Sequence, residues 1–281
     1  MKNKIYLCAI SNVQSGICNE DCKFCTQSVR YKANIQRYKI KDIQDILYEA
    51  KLAKQNKAIG FCLVTAGKGI TPDILDYISN AAKQIKKLKL NINIIACNGT
   101  ATLEQLQILK QAGVDSYNHN LETSKDFYKN ICTTHTWEER FQTCQNVKKA
   151  GLNLVCGGIF GLGETQQDRI SMINAIVSLN PVTIPINFFH PNPALPLKQN
   201  TLTKQEAFEL IRLVKDMAPT VHKIMVAGGR ELIFGDNQYE IFKYGANSIV
   251  IGDYLTTKGN QADKDIIYLE NSGFDIASSC N

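Results

Sequence analysis

The 281-residue sequence contains no apolar run approaching the roughly 18 to 20 residues that a membrane-spanning helix requires. Its one apolar stretch near the start, Ile5 to Ile10, is shorter than the hydrophobic region of a secretory signal. Together these absences predict a cytoplasmic protein that does not engage a membrane. Aromatic residues are missing from the lysine clusters, for example Lys83, Lys86, Lys87 and Lys89. The net charge of +6 therefore reads as solvated helix surface, and no nucleic-acid partner is expected. No linker, low-complexity tract or shift in composition divides the chain, which predicts a single domain over 1–281.

What is present is a hydrophobic content of 44% and 18 glycines, enough apolar material for one large core. Short β-rich segments alternate with amphipathic helical stretches, the pattern of a parallel sheet built from βα units. Eight strands are predicted, at Ile5–Ser11, Gly60–Ala66, Asn91–Cys97, Val114–Leu121, Asn153–Phe160, Thr183–Phe189, Lys223–Ala227 and Ser248–Gly252. Helices are predicted between them, including Ile43–Gln55, Leu103–Ala112, Trp137–Ala150, Gln166–Leu179 and Lys204–Met217. Several end at a glycine (Ala112-Gly113, Ala150-Gly151, Tyr244-Gly245), where a left-handed cap turns the chain toward the next strand. Eight such units predict an α/β fold of the (βα)8 TIM-barrel type. In such a barrel the loops after the strands carry the site. The irregular loop Pro191–Pro196 follows the sixth strand, and is either a substrate border or a rigid connector.

Ten cysteines are many for a chain in a reducing compartment, where they read as metal ligands, catalytic thiols or small core residues rather than disulfides. Three of them, Cys18, Cys22 and Cys25, form a CxxxCxxC on the loop after the first predicted strand, with Phe24 before the last. Three thiolates in one loop can each bind one iron of a four-iron cubane and leave the fourth iron open to a substrate. A structural zinc site normally closes its tetrahedron with a fourth Cys or His at short spacing, and none lies near this loop.

This motif resembles the signature of the radical S-adenosylmethionine superfamily. The resemblance implies a 4Fe–4S cluster whose open iron chelates S-adenosylmethionine and whose electron breaks the sulfonium bond, giving a 5′-deoxyadenosyl radical. Over nearly the whole chain the sequence also resembles one family within it, the biotin synthases. The carrying motifs are Cys22-Lys23-Phe24-Cys25-Thr26-Gln27-Ser28, Gly60-Phe61-Cys62, Tyr117-Asn118-His119-Asn120-Leu121-Glu122-Thr123-Ser124, Gly157-Gly158-Ile159-Phe160-Gly161-Leu162-Gly163-Glu164-Thr165, Ile184-Pro185-Ile186-Asn187 and Ala227-Gly228-Gly229-Arg230-Glu231.

That resemblance implies insertion of sulfur into dethiobiotin, with a second, 2Fe–2S cluster held deep in the barrel by three cysteines and an arginine. Cys62, Cys97 and Arg230 match its ligand positions. At the fourth, Val155 stands at the usual cysteine and Cys156 one residue later. Strand side chains alternate between faces, so Cys156 reaches the interior only if the backbone bulges near Gly157-Gly158; otherwise the second cluster has only Cys62, Cys97 and Arg230.

The resemblance also places Asn120 and Asn187 on the dethiobiotin ring, Glu122 near the ribose hydroxyls and Arg140 on the methionyl carboxylate. It places the segment from Gly157 through Ile159 and Gly161 to Glu164 against adenine. It implies a flavodoxin- or ferredoxin-type electron donor and a homodimer. Cys8, Cys132, Cys144 and Cys280 fall outside this set and read as core or surface thiols, and His119 as a structural residue turned away from the two asparagines. Two rivals stay open. One is another enzyme of the same superfamily, such as a mutase or maturase, without the inner cluster; the other is a zinc-stabilised binding barrel.

Overall fold

A computed structural model describes residues 4–280; Met1–Asn3 and Asn281, inside the predicted domain, lie outside the described residues. Strands β1 (Lys4–Asn12), β2 (Gly60–Val64), β3 (Asn93–Cys97), β4 (Ser116–Asn118), β5 (Asn153–Val155), β6 (Gly158–Phe160), β7 (Thr183–Phe188), β8 (Lys223–Val226) and β9 (Ser248–Val250) are all parallel, and β9 pairs back onto β1. The sheet therefore closes into a barrel of eight strand positions, β5 and β6 being two parts of the fifth. A two-residue β10 (Asp275–Ile276), not foreseen from sequence, adds to β1 at Lys4 and Ile5.

Helices α1 (Ile43–Gln55), α2 (Pro72–Lys87), α3 (Leu103–Gln111), α4 (Lys125–Ile131), α5 (Trp137–Lys149), α6 (Gln166–Ser178), α7 (Lys204–Met217), α8 (Arg230–Phe234) and α9 (Ala262–Asn271) surround it. Their starts are written locally. Thr102 with Gln105, Thr136 with Glu139, Thr165 with Asp168 and Thr203 with Glu206 each satisfy one another's backbone N–H groups as reciprocal caps. The glycine expected to end a helix at Tyr244-Gly245 instead closes 3-10 turns over Gly235–Tyr244.

Alternation sorts the strand residues into two cores. Leu7, Phe61, Leu63, Ile94, Ala96, Tyr117, Leu154, Ile184, Val226 and Ile249 pack outward with the helices. Cys8, Cys62, Val64, Ile95, Met225, Ala227 and Val250 form a separate inward cluster, with Cys97 against it. The outer layer is nearly all aliphatic. The inner one contains three thiols.

The fifth strand carries a correction. Cys156 belongs to the outward set with Leu154 and Phe160. Its Sγ lies 3.8 Å from that of Cys144 on α5. A bulge does exist, but on the neighbouring strand position. Asn118 pairs with Val155 and Glu122 bridges Gly158, so one extra residue sits between Asn118 and Glu122, and Glu122 takes a left-handed φ of 68°. Against β7 the fifth strand runs in unbroken register, Val155 with Thr183 and Gly158 with Ile186. Cys156 is therefore never shifted inward.

Candidate active site

The cysteine loop leaves the C-terminal end of β1 and is fastened before any metal is considered. Cys18 N–H donates to the Gln27 carbonyl (3.2 Å) and Val29 N–H to the Cys18 carbonyl (2.8 Å), closing the loop on itself. Gln27 Oε1 accepts from Gly16 N–H at 2.5 Å. Asp21, between the first two cysteines, accepts from the backbone N–H groups of Thr133 (2.9 Å) and Thr134 (3.2 Å) and from both their hydroxyls. Burial would raise the Asp21 pKa, but these bonds reverse that and hold the carboxyl well below the usual range.

The three thiols feel one another. Burial first, then Cys18 and Glu122, push Cys25 up to about 12. The hydrogen bond to Cys132, burial and the neighbouring Cys25 raise Cys22, and burial raises Cys18. Such thiols are protonated until a cation displaces the proton, and their convergence on one loop fits three ligands of a four-iron cluster. Cys22 and Phe24 pack into an apolar shell with Tyr128, Ile131, Ile159, Leu162, Phe189 and Leu195. Leu195 is buried there, so the Pro191–Pro196 loop borders this site.

Beside the loop the bulge presents Glu122. Its Oε1 accepts from Arg140 Nη2 at 3.0 Å, while Oε2 is buried with no hydrogen-bond partner among the described residues. Burial raises its pKa, opposed by Arg140. Arg140 also donates through Nε to the Asn120 carbonyl (2.6 Å). An unsatisfied carboxylate oxygen in a buried site costs stability, and a ligand hydroxyl would recover it. Asn120 Oδ1 accepts from Gly157 N–H (3.1 Å); Asn187 Oδ1 accepts from Gly228 N–H (3.0 Å) and its Nδ2 donates to the Gly158 carbonyl (3.2 Å). Each amide thus ties its strand to the next and still keeps a lone pair and an N–H for a ligand. Gly161 N–H and Leu162 N–H both donate to Glu164, at 2.9 and 2.6 Å, so that carboxylate holds its own loop rather than facing outward.

Sequence reasoning missed a second group of donors here. Cys132 and His135 close on Cys22, the three donor atoms lying within 4.8 Å of one another. His135 Nδ1 is 2.8 Å from Glu20. The hydrogen bond from Cys22, with His135 and Thr134, pulls Cys132 down to about 4 against the opposing effect of burial. The signal was the Cys-Thr-Thr-His spacing just after α4, whose relation to Cys22 is purely tertiary.

Deeper in the barrel, Cys62 and Cys97 face inward together, and the hydrogen bond with Cys97, then burial, raise Cys62 well above its ordinary value. Arg230 has strong partners of its own. It is fully buried, but its guanidinium points into the helix layer, donating to both oxygens of Asp265 on α9 (3.1 and 2.8 Å) and to the Val250 carbonyl (3.2 Å). Burial alone would lower its pKa; Asp265, with Tyr254 and Glu231, more than reverses this. The Nε of Arg230 is buried with no hydrogen-bond partner among the described residues. Of the four ligands expected for an inner cluster, Cys62 and Cys97 face the interior together and Cys156 does not, while Arg230 is engaged by Asp265 with its Nε unpartnered.

Residues 13–176 match the model of the radical SAM superfamily and residues 185–275 that of the biotin and thiamin synthesis associated domain. The sequence is 60% identical to the biotin synthase of Aliarcobacter butzleri over 279 residues, covering 99% of both chains. It is 59% identical to that of Nitratiruptor sp. over 278 residues, again covering 99% of both. The chain belongs to the biotin synthase family. The biotin synthase of Campylobacter jejuni serotype O:6 is similar at 54% identity over 278 residues, 99% of this chain and 100% of the relative. Solved structures share the fold: methylornithine synthase, with a TM-score of 0.81 at 17% identity, covers 98% of this chain and 84% of its own. The FeFe-hydrogenase maturase HydG from Carboxydothermus hydrogenoformans has a TM-score of 0.81 at 16% identity, covering 97% and 67%. Both family matches lie within one closed sheet, the first supplying β2 to β6, the second β8, β9 and most of β7, while β1 ends just before the first match begins. No helix among the described residues is long and apolar enough to cross a membrane.

Proposed function

We propose that this chain converts dethiobiotin to biotin as a single cytoplasmic barrel domain, working as a homodimer with a flavodoxin- or ferredoxin-type electron donor. The observation that carries the reading is the join of the Cys18, Cys22 and Cys25 loop to the largely buried Glu122–Arg140 pair at the C-terminal mouth of the barrel. Cys18, Cys22 and Cys25 would hold a four-iron cluster, which supplies the electron that splits S-adenosylmethionine. The chain's own residues then bind and orient. The unpartnered Oε2 of Glu122 accepts ribose hydroxyls, and Arg140, held by Glu122 and the Asn120 carbonyl, offers its remaining N–H groups to the methionyl carboxylate. Asn120 and Asn187 meet the ring of dethiobiotin with one donor and one acceptor each. Ile159 and the apolar shell around Phe24 exclude water from the radical.

The relatives at 54–60% identity weigh against both rivals, the enzyme without sulfur insertion and the zinc-stabilised barrel, although Cys22, Cys132 and His135 are donors that a zinc site would use. One experiment separates all three: anaerobic reconstitution with iron and sulfide, then reduction with S-adenosylmethionine and dethiobiotin. Formation of 5′-deoxyadenosine together with biotin is expected. Deoxyadenosine without biotin would overturn sulfur insertion, and a colourless protein that retains zinc would overturn the radical chemistry.

A further inference from the structure

The inner sulfur site loses Cys156 to the helix layer, and Val155 offers a metal nothing but methyl groups. A third thiol shares the inward face with Cys62 and Cys97. Cys8 on β1 pairs in register with Gly60, and Ile10 with Cys62, so Cys8 lies one inward step below Cys62 on the adjoining strand. Gly60 makes this placement possible. A Cβ built there would sit 3.2 Å from Cys8 Sγ and 3.1 Å from Ile95 Cδ1, so the thiol leans across β2 through space that any other residue would fill. Cys8, Ile95, Val155 and Met225 line one cavity of about 640 Å³ at the lower end of the barrel. Cys8 and Cys62 belong to one buried cluster, with Cys97 packed on it.

We propose that Cys8 is the third thiolate of the inner iron–sulfur site, binding beside Cys62 and Cys97 and taking over from the cysteine that Val155 replaces. The assignment rests on the two-cluster reading above. The one hydrogen bond of the Cys8 thiol among the described residues is a long one, to the Ala9 carbonyl at 3.8 Å, which leaves the side chain weakly held. The other thiol at that end, Cys280, is turned to the Ile59 carbonyl at 3.6 Å. Burial, then the neighbouring Cys280, pushes Cys8 up to about 12. Without iron Cys8 is therefore a neutral thiol, and it releases one proton as it binds iron.

The test uses the full chain with Cys18, Cys22 and Cys25 all changed to Ala, so that only the inner site can take up iron, reconstituted anaerobically. Iron, sulfide and the visible and Mössbauer spectra are measured. This parent is expected to hold about two irons per chain, and adding Cys8→Ala to lower retention at least about tenfold. Cys8→Ser is expected to keep some iron with its charge-transfer bands moved to shorter wavelength, oxygen having replaced sulfur. Cys156→Ala should match the parent. Undiminished iron with an unchanged spectrum in Cys8→Ala overturns the assignment while leaving the two-cluster reading intact. A parent that takes up no iron overturns both. Circular dichroism and the iron held by the outer loop, in chains retaining Cys18, Cys22 and Cys25, establish that each variant folds; should Cys8→Ala fail to, the Cys8→Ser spectrum decides, an unshifted spectrum counting against Cys8.

Discussion

Glu122 concentrates three demands in one side chain. It sits at a bulge in a left-handed conformation, is buried, and shares only one oxygen with Arg140. Glu122→Gln keeps the shape and removes the charge that Arg140 faces. With the proposed ribose contact, the KM for S-adenosylmethionine should rise about tenfold or more, equivalent to about 1.4 kcal/mol. Iron content should stay unchanged. An unaltered KM in deoxyadenosine formation would remove Glu122 from the nucleoside site. At this scale the sequence told unevenly. The Cys18, Cys22 and Cys25 spacing needs only local geometry and was readable at once. Arg230 was not, because its direction is set by Asp265, a partner 35 residues later on a different helix. Cys132 and His135 were invisible for the same reason.

Among the elements, helices α1 and α7 begin and end where periodicity and caps predict, since their caps are encoded within a few residues of each end. After β1, which extends one residue past each predicted end, predicted strands run longer than those formed, most of all Val114–Leu121, which contracts to Ser116–Asn118. Glycines suggested a bulge in the fifth strand, yet the extra residue lies on the fourth, where Glu122 turns left-handed. The glycine pair has another purpose. A Cβ on Gly157 would lie 1.8 Å from the Pro185 carbonyl oxygen, and one on Gly158 2.3 Å from Met172 Sδ. Gly157→Ala must therefore push β7 aside, against rigid backbone, and is expected to destabilise by about 3 kcal/mol or more. Gly67→Ala, whose new Cβ would meet only the Gly69 carbonyl at 3.9 Å, is the control and should stay within about 0.5 kcal/mol. Equal unfolding midpoints for the two variants would show that the close approach carries no energy.

For the whole molecule, the closed barrel has cores on both sides of its sheet, and the larger of them contains no proposed metal ligand. Folding should accordingly not depend on iron. The cluster-free protein is expected to unfold in one cooperative transition with native-like circular dichroism, unlike small domains that fold only around their metal. Loss of that transition on removing iron would show that the clusters hold the barrel together. The eight-strand alternation made this architecture legible from sequence, because burial on both faces of a parallel strand leaves few alternatives. The division of the inward face into three thiols was not, since it turns on the register that sets Cys8 against Gly60, 52 residues away.

Asp21 gives this independence a further meaning. By gripping the turn at Thr133 and Thr134, it suspends the cysteine loop from the fourth βα unit as well as from the first. Both ends of the cup are thus moored to the rigid wall, and little ordering entropy remains to be spent when iron arrives. An oxidised cluster can then fall away and be replaced without the chain refolding, so repair becomes a matter of supply rather than of structure.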